Sequence, residues 1–489
     1  MPVTGMTIDE IEAMGGWWVS VPAAENKSIN SDINGTFFDD YSKIYIVVPA
    51  EADESKIVFY VRDVADQYAM RVEGDFSKGD INLGSKVISC VKSRLPVVFM
   101  TVDKEQFNSM NQLTDRSVEL STQGTISCDE RIDCNITLKP RGNATWIYPK
   151  KPYSIELEGK GNLLGMSSNK KWNMLGNYCD LSLLSNSVFY DLAERLELPY
   201  TCEWRQAVVY INGEYKGVYL FTTQNNVSKN TIALGKHDYL LLLGDPEIEH
   251  NYEQMKFFAI ETDNIDVNAI DVGVVNISGT DESISKCFSI KYPKENVDIE
   301  FIRTFTQEAF DALENENSED YTRYFDVDNL VRFYLIQEFS HNDDAVARSI
   351  YMYYDSSKEK LMLGPVWDMD STLESIVKNP YDLVANRSWY RSLFLHDSFV
   401  DVLYDTYNNG VRDDIFDSLS YFEESGELMS VDGELDHKLV AREHSLYFPE
   451  TEIYDTYVEQ CEEKINEYKR RIDFLDELLM DRTLTEWIR

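Results

Sequence analysis

The chain has 489 residues, 43% of them hydrophobic and 12% aromatic, which is enough apolar material for a large buried core. Its 86 acidic residues outnumber the 46 basic ones, giving a net charge of −40 with histidine neutral. A field of that sign repels nucleic acid and anionic lipid and attracts cationic partners such as Lys/Arg-rich peptides. We therefore expect no nucleic-acid partner. No apolar run approaches the roughly 20 residues that span a bilayer, so we also expect no membrane insertion.

Several other classes of protein are disfavoured by the motifs that the sequence lacks. The seven cysteines contain no CxxC pair, and the six histidines have no metal-ligand spacing, which argues against a zinc site. GxSxG, HExxH, Walker A and GxGxxG motifs are also missing from the sequence. Residues 1–10 carry neither a basic stretch nor an apolar core and do not read as a signal peptide, so on this ground a cytoplasmic location stays open.

The first region, residues 1–92, is predicted to be mostly β-structure after a short helix near 7–14. Short runs rich in β-branched residues occur at 44–48, 57–61 and 86–91. Gly, Asp and Asn separate these runs at regular spacing. This pattern predicts a small immunoglobulin-like β-sandwich.

The second region, about 93–245, mixes strands with one helix. Strands are predicted at 95–100, 135–138 and 153–157, followed by an amphipathic helix over 181–196. Asn212-Gly213 lies between two apolar runs and predicts a hairpin, because this dipeptide accepts the positive φ angles of a two-residue turn.

The third region, about 246–489, is rich in helices. Helices are predicted over 299–314, over 327–339 and near 452–479, and a strand hairpin over 349–354 and 361–366. The sequence therefore predicts an α+β protein in three parts. A β-sandwich precedes a β-rich N-lobe, and a helix-rich C-lobe follows.

Two acidic clusters flank the predicted hairpin of the third region. Asp343 and Asp344 precede it, and Asp368 and Asp370 follow it. A hairpin brings its two ends together, so these carboxylates are expected to meet. Phosphoryl transfer uses one carboxylate to accept the proton of the attacking hydroxyl and another to hold Mg²⁺ on the nucleotide phosphates. Ser349, five positions after Asp344, stands where protein kinases place an Asn metal ligand.

Other interpretations of these residues stay open on spacing alone. The acids could be loop and cap residues of a very acidic protein, or the paired carboxylates of a glycosidase. A basic segment with Arg141, Lys150 and Lys151 lies near Gly in a strand-turn-strand element and could hold phosphates. Basic residues at strand ends also commonly face solvent. Asp180 is expected to cap the following helix.

Taken together and in order, these segments resemble the spore-coat protein H (CotH) kinase family. The resemblance covers about 95–489 and runs through 141–146, 150–153, 171–180, 211–219, 342–351 and 364–370. It implies a bilobal, atypical protein kinase fold that uses ATP and Mg²⁺ or Mn²⁺. Known members phosphorylate Ser/Thr of secreted or coat proteins, including Ser- and Lys-rich segments.

Carried over to this sequence, the resemblance implies roles for three acids of the two clusters and for Ser349. Asp344 corresponds to the catalytic Asp and Asp368 to the metal-binding Asp. Ser349 would take the second metal position, with Asp370 nearby.

The resemblance also implies a nucleotide-binding group in the β-rich lobe. Lys151, with its neighbour Lys150, corresponds to the phosphate-contacting Lys. Arg141 would support that site, and Gln224 would bind the nucleotide with them. An extracellular or cell-surface location is implied as well, and we expect a monomer.

Three positions depart from the family pattern. Thr223 replaces a common Glu, Glu156 stands where relatives often have Lys, and Ser185 stands where Arg is usual. These departures support an alternative function, a catalytically weak pseudokinase that acts as a surface binding or adhesion protein.

Overall fold

A computed structural model of the chain describes residues 3–4, 7–38, 41–112, 120–128, 132–142, 144–243, 269–276, 283–346 and 348–488. These residues form a mixed α+β structure, as the sequence predicts. The predicted boundary between the lobes, near residue 245, lies outside the described residues, as do Asn143 and Ala347 of the predicted motifs. No helix in the described part of the chain combines the length and apolar character needed to cross a membrane.

Twenty strands and eleven α-helices are described. The strands are β1 (Val3–Thr4), β2 (Trp17–Val21), β3 (Ile33–Asn34), β4 (Lys43–Val48), β5 (Ile57–Asp63), β6 (Tyr68–Gly74), β7 (Ile81–Leu83), β8 (Lys86–Lys92), β9 (Val97–Val102), β10 (Thr122–Cys128), β11 (Ile132–Pro140), β12 (Tyr153–Gly161), β13 (Asn169–Leu175), β14 (Trp204–Ile211), β15 (Glu214–Thr223), β16 (Tyr239–Leu243), β17 (Ala269–Asn276), β18 (Ser283–Tyr292), β19 (Ile350–Asp355) and β20 (Lys360–Leu363). The helices are α1 (Ile8–Glu12), α2 (Lys104–Gln112), α3 (Ser185–Arg195), α4 (Ile299–Leu313), α5 (Val327–Ser340), α6 (Thr372–Lys378), α7 (Tyr390–Leu393), α8 (Asp397–Thr406), α9 (Arg412–Leu428), α10 (Ser430–Tyr447) and α11 (Tyr457–Met480).

The chain divides into two compact units, each built from three separate segments. The first unit comprises Met1–Leu183, Glu203–Gln224 and Gly426–Gln460, and the second Leu184–Cys202, Asn225–Ser425 and Cys461–Arg489. Because the first unit contains residues on both sides of position 92, the predicted separate domain over 1–92 stays a prediction.

The first unit holds two open sheets and a closed barrel. One sheet has the order β1-β6-β5-β2-β3, the other the order β4-β8-β7, and the barrel runs β10-β11-β12-β13-β15-β14-β9. Alternate side chains of the barrel strands, including Ile155, Trp172 and Phe221, form a fully buried core. The barrel is thus a packed element rather than an open channel.

The hairpin of β14 and β15 forms where Asn212-Gly213 predicts it. Both residues have positive φ angles, 52° and 80°, as a two-residue hairpin turn requires. Further along β15, Gly217 has φ +88°, and a Cβ there would lie 2.0 Å from Oδ1 of Asp436. Only glycine therefore lets this strand approach that carboxylate.

The second unit contains the five-stranded sheet β17-β18-β16-β19-β20 and most of the helices. Helix α5 begins after Asp326, whose carboxylate accepts the N–H of Asn329 at 3.2 Å. The Asn329 side chain then bonds both the carbonyl (3.0 Å) and the N–H (2.7 Å) of Leu363. These bonds join α5 to β20 and fix the end of the hairpin that leads into the second acidic loop.

Most predicted elements are confirmed, with shifted ends. The last strand of the predicted hairpin ends at Leu363 instead of 366, because Gly364 adopts φ +127° and leaves the strand. Helix α3 begins at Ser185 instead of 181, after Leu183 with φ 63°. Strand β13, which closes one side of the barrel, was not predicted, because its polar residues Asn169, Lys170 and Lys171 hide the alternating pattern.

Candidate active site

The two acidic loops leave the β19–β20 hairpin at the same end. The strands pair antiparallel, with Met352 opposite Leu363 at that end. The hydroxyl of Ser349, just before β19, donates to Oδ2 of Asp368, just after β20, at 2.7 Å. This bond joins the two loops, and the charge of Asp368 acts on Asp344, so the predicted approach of the two clusters is confirmed for this pair of acids.

Both partners of this hydrogen bond have a left-handed backbone. The φ angle is 61° at Ser349 and 63° at Asp368. Residues other than glycine adopt this region at a cost on the order of 1 kcal/mol, and they do so where the surrounding structure enforces it. Such positions concentrate at functional sites, so the pair marks this loop junction as a candidate site.

Asp344 is held by the side chain of its neighbour Asn342. It begins a single 3₁₀ turn, and Oδ1 of the buried Asn342 accepts the N–H groups of Asp344 (3.2 Å) and Ala345 (3.3 Å). The carboxylate of Asp344 stays 40% exposed. The backbone of the turn is therefore fixed, while the acid remains accessible.

The electrostatic environment of Asp344 is unfavourable to its charge. Partial burial raises the pKa of Asp344, and the nearby carboxylates of Asp368 and Asp343 raise it further, while Arg348 opposes them. Two like charges near one another favour binding of a cation between them.

Met369, in the loop after β20, contacts the loop that carries Asp344. Its side chain is fully buried, and its N–H donates to Oδ1 of Asn186 in α3 at 3.1 Å. Its carbonyl accepts the hydroxyl of Thr372 at 2.8 Å. Nδ2 of Asn342 lies 3.2 Å from its sulfur, so Asn342 contacts both acidic loops.

A buried ion pair anchors the helix that leads to Asp344. Glu338, near the end of α5, lies 2.7 Å from Arg471 of α11, and the side chains are 1% and 0% exposed. Glu338 also accepts the N–H of Ala385 at 2.8 Å, and Arg471 donates to the carbonyl of Pro380 at 2.8 Å. Because these groups satisfy one another, the end of α5 is rigidly placed.

Asp343, unlike Asp344, is engaged in a structural network. Arg387 bridges its carboxylate to that of Asp382. Ser375 donates a further hydrogen bond to Asp343 at 2.8 Å. The neighbouring His341, whose Nε2 lies 3.6 Å from Oδ2 of Asp382, and the charge of Arg387 hold the pKa of Asp382 well below its usual range. Of the two adjacent acids, Asp344 is therefore the one available for chemistry.

In the first unit, Lys150 forms a buried ion pair. Its Nζ lies 2.6 Å from Oδ1 of Asp436 on α10, with side chains 4% and 1% exposed. The same oxygen accepts the N–H of Val218 at 2.7 Å. Burial lowers the pKa of Lys150, and Asp436 opposes that shift. Protein kinases hold their phosphate-contacting Lys with a helix carboxylate in a pair of this kind.

The remaining residues predicted to bind nucleotide also lie in the first unit. Lys151 is 5% exposed, and burial lowers its pKa. The N–H of Arg141 donates to the carbonyl of Pro152 at 3.0 Å, and Nε2 of Gln224 donates to that of Trp172 at 3.3 Å. Their predicted roles stay predictions.

The acid pair fits a divalent cation that is shared with phosphates. Among the described residues, no three His, Cys, Asp or Glu side chains form a metal site by themselves. Mg²⁺ in nucleotide sites commonly uses one or two carboxylates and completes its shell with phosphates and water. Asp368 would supply a hard oxygen ligand, with the hydroxyl of Ser349 at 2.7 Å from it and the exposed carboxylate of Asp344 nearby. Asp370, half-buried just before α6, stays a predicted ligand.

An α+β protein with paired carboxylates at the two ends of one hairpin has the arrangement expected of a phosphoryl-transfer protein. Comparison with known families agrees. The family model described as CotH kinase protein matches residues 138–475, well over half of the chain. The chain therefore belongs to the CotH kinase family and is a kinase-like protein, which implies the use of ATP. No curated protein matches the chain significantly.

Sequence reasoning missed the residues that hold the site together. Asn342 and Met369 lie inside the segments that carry the family resemblance but had no assigned role, and Asn186 lies outside those segments. Asp436 lies nearly 290 positions from Lys150, and no local pattern connects the two. For Asn186 too no local signal was available, because Ser185 and Ser187 flank it and this polar run does not reveal that the amide is buried and needs a partner.

Proposed function

We propose that this protein is an ATP- and divalent-metal-dependent protein kinase that phosphorylates Ser or Thr of protein substrates. The main observation in support is that the loops of Asp344 and Asp368 meet. The Ser349–Asp368 hydrogen bond of 2.7 Å joins them. The family match over residues 138–475 supports the same class of reaction.

Each acid of the site has a distinct part in this reaction. Asp344 orients the substrate hydroxyl and accepts its proton, for which its exposed carboxylate and raised pKa are suited. Asp368 holds the metal ion, with Ser349 as the second position and Asp370 nearby. ATP supplies the phosphoryl group, and Mg²⁺ or Mn²⁺ neutralises the charge on its phosphates.

The basic residues of the first unit are proposed to bind the phosphates of ATP. Lys150 is positioned by Asp436 and, with Lys151 and Arg141, binds phosphates. Gln224 contacts the nucleotide. The predicted substrate is a protein with basic, Ser-rich segments, secreted or at the cell surface, which the net charge of −40 would attract.

The test measures phosphoryl transfer from γ-labelled ATP to a basic peptide that contains serine, with Mg²⁺ or Mn²⁺. Asp344→Ala is expected to lower kcat about 10²–10⁴-fold, the usual contribution of a general base. Asp328→Ala is the matched control, since this Asp is 63% exposed at the start of α5. Equal transfer by wild type and Asp344→Ala with both metals would sink the proposal. An acidic Ser peptide tests the preference for basic substrates.

The near-complete burial of Lys150 favours a second candidate function. A Lys that is 4% exposed and already paired offers few donors to a nucleotide. In this case the chain is a pseudokinase that acts as a binding or adhesion protein. Calorimetry with ATP and Mg²⁺ separates the two: nucleotide binding without transfer, or no binding at all, supports the pseudokinase.

A further inference from the structure

We propose that Arg348 is a further catalytic residue, whose guanidinium contacts the phosphoryl group during transfer. This inference rests on the proposed kinase function. Arg348 is the sole Lys or Arg in the acidic loop over 341–349, and it lies four positions after Asp344. Its backbone N–H donates to the carbonyl of Asp344 at 2.9 Å, so its Cα is fixed beside the proposed base.

The side chain of Arg348 keeps its hydrogen-bonding capacity. Its Nε lies 3.9 Å from Oδ1 of Asp344, which is too long for a hydrogen bond. The side chain is 53% exposed. A guanidinium has five N–H donors in a fork that matches phosphate oxygens, and the contact with Asp344 occupies none of them.

Charge balance explains why a cation is needed at this place. Asp344 of this loop and the nearby Asp368 place negative charge here, which repels a phosphoryl group. Arg387, the neighbouring cation, is held between Asp343 and Asp382. Arg348 therefore offers the positive charge and donors that stabilise a transferring phosphoryl group.

Phosphoryl transfer forms one P–O bond and breaks another. The oxygen of the substrate hydroxyl forms a bond to the γ-phosphorus of ATP while the bond from that phosphorus to the β–γ bridging oxygen breaks. ADP leaves with the electron pair, and Asp344 takes the hydroxyl proton. Arg348 donates hydrogen bonds to the equatorial oxygens of the phosphoryl group, where charge is spread in the transition state.

The test compares Arg348→Met and Arg348→Lys with Arg303→Met, a control 42% exposed and paired with Glu300 on α4. Transfer to the basic Ser peptide is measured first. Arg348→Met is expected to lower kcat about 10²–10³-fold with little change in KM for ATP, as removal of one transition-state donor does. Arg348→Lys is expected to recover part of the rate, since it keeps the charge and loses the fork.

A second measurement does not depend on turnover. Calorimetry compares ADP–Mg²⁺ with and without aluminium fluoride, which mimics the transferring phosphoryl group. Arg348→Met is expected to weaken binding of the mimic at least tenfold and leave binding of ADP unchanged. If wild type transfers phosphate and Arg348→Met matches it in both assays, Arg348 is excluded and the kinase function stands. If wild type binds the mimic without transfer, the kinase function fails, and the effect of Arg348→Met on the mimic still decides its contact. If wild type binds no nucleotide, both proposals are overturned.

Discussion

The Lys150–Asp436 pair of the first unit and the acidic loops of the second unit differ in how their charges are balanced. Lys150 and Asp436 are buried, opposite in sign and 2.6 Å apart, and a backbone N–H completes the carboxylate's contacts. Asp344 and Asp368 are like charges, and Asp344 is 40% exposed. Repulsion between two nearby carboxylates does not stabilise the fold. The second arrangement therefore indicates a cationic ligand that balances their charge. The first arrangement is satisfied by the protein itself.

The largest expected effect comes from breaking the satisfied pair. Asp436→Ala leaves the Lys150 ammonium buried without its carboxylate and also removes the acceptor of the Val218 N–H. We expect the free energy of unfolding to fall by about 3–5 kcal/mol, as for other buried pairs that lose one partner. Urea unfolding measures it, with Glu443→Ala, an exposed acid on the same helix, as control. If Asp436→Ala lost no more free energy of unfolding than Glu443→Ala, the buried pair would not be important for stability.

An intermediate effect is expected from loosening the turn that carries Asp344. Asn342→Ala removes the acceptor of two backbone N–H groups and the contact with Met369. We expect a loss of about 1–2 kcal/mol in stability and a larger fall in kcat than in affinity for ATP. Asn379→Ala, which removes a single exposed cap to Tyr381, is the control. Unchanged kcat in Asn342→Ala would contradict the positioning role of this side chain.

The smallest expected effect on stability comes from Asp368→Asn, which should not destabilise the protein. Asp368→Asn removes one of two like charges, and Asn tolerates a left-handed backbone well. We expect stability to stay level or rise by up to about 1 kcal/mol, while transfer to the peptide is lost because the metal loses its ligand. Asp382→Asn is the contrast, since it removes an acid balanced by Arg387 and should destabilise. A marked loss of stability in Asp368→Asn would show that this acid is structural.

The fold and the candidate site were predictable from the sequence to different depths. The hairpin and its flanking acids follow from local patterns, because strand alternation and the Asp clusters lie within about 30 residues. The closed barrel does not, since it requires β14 to pair in parallel with the distant β9. The ordered motifs identified the family, but the supporting contacts of Asn186 and Arg471 depend on tertiary packing that no local pattern encodes.

The left-handed backbone at Ser349 also restricts which residues can evolve there. Threonine carries the same hydroxyl, but its branched Cβ disfavours a φ of 61°, so the chemically nearest exchange is conformationally poor. Asparagine, the metal ligand that protein kinases place five positions after the catalytic Asp, accepts this region more readily than most residues. The main chain at this position therefore already has a conformation that suits asparagine. A single substitution, Ser349→Asn, would give the metal ligand that protein kinases use.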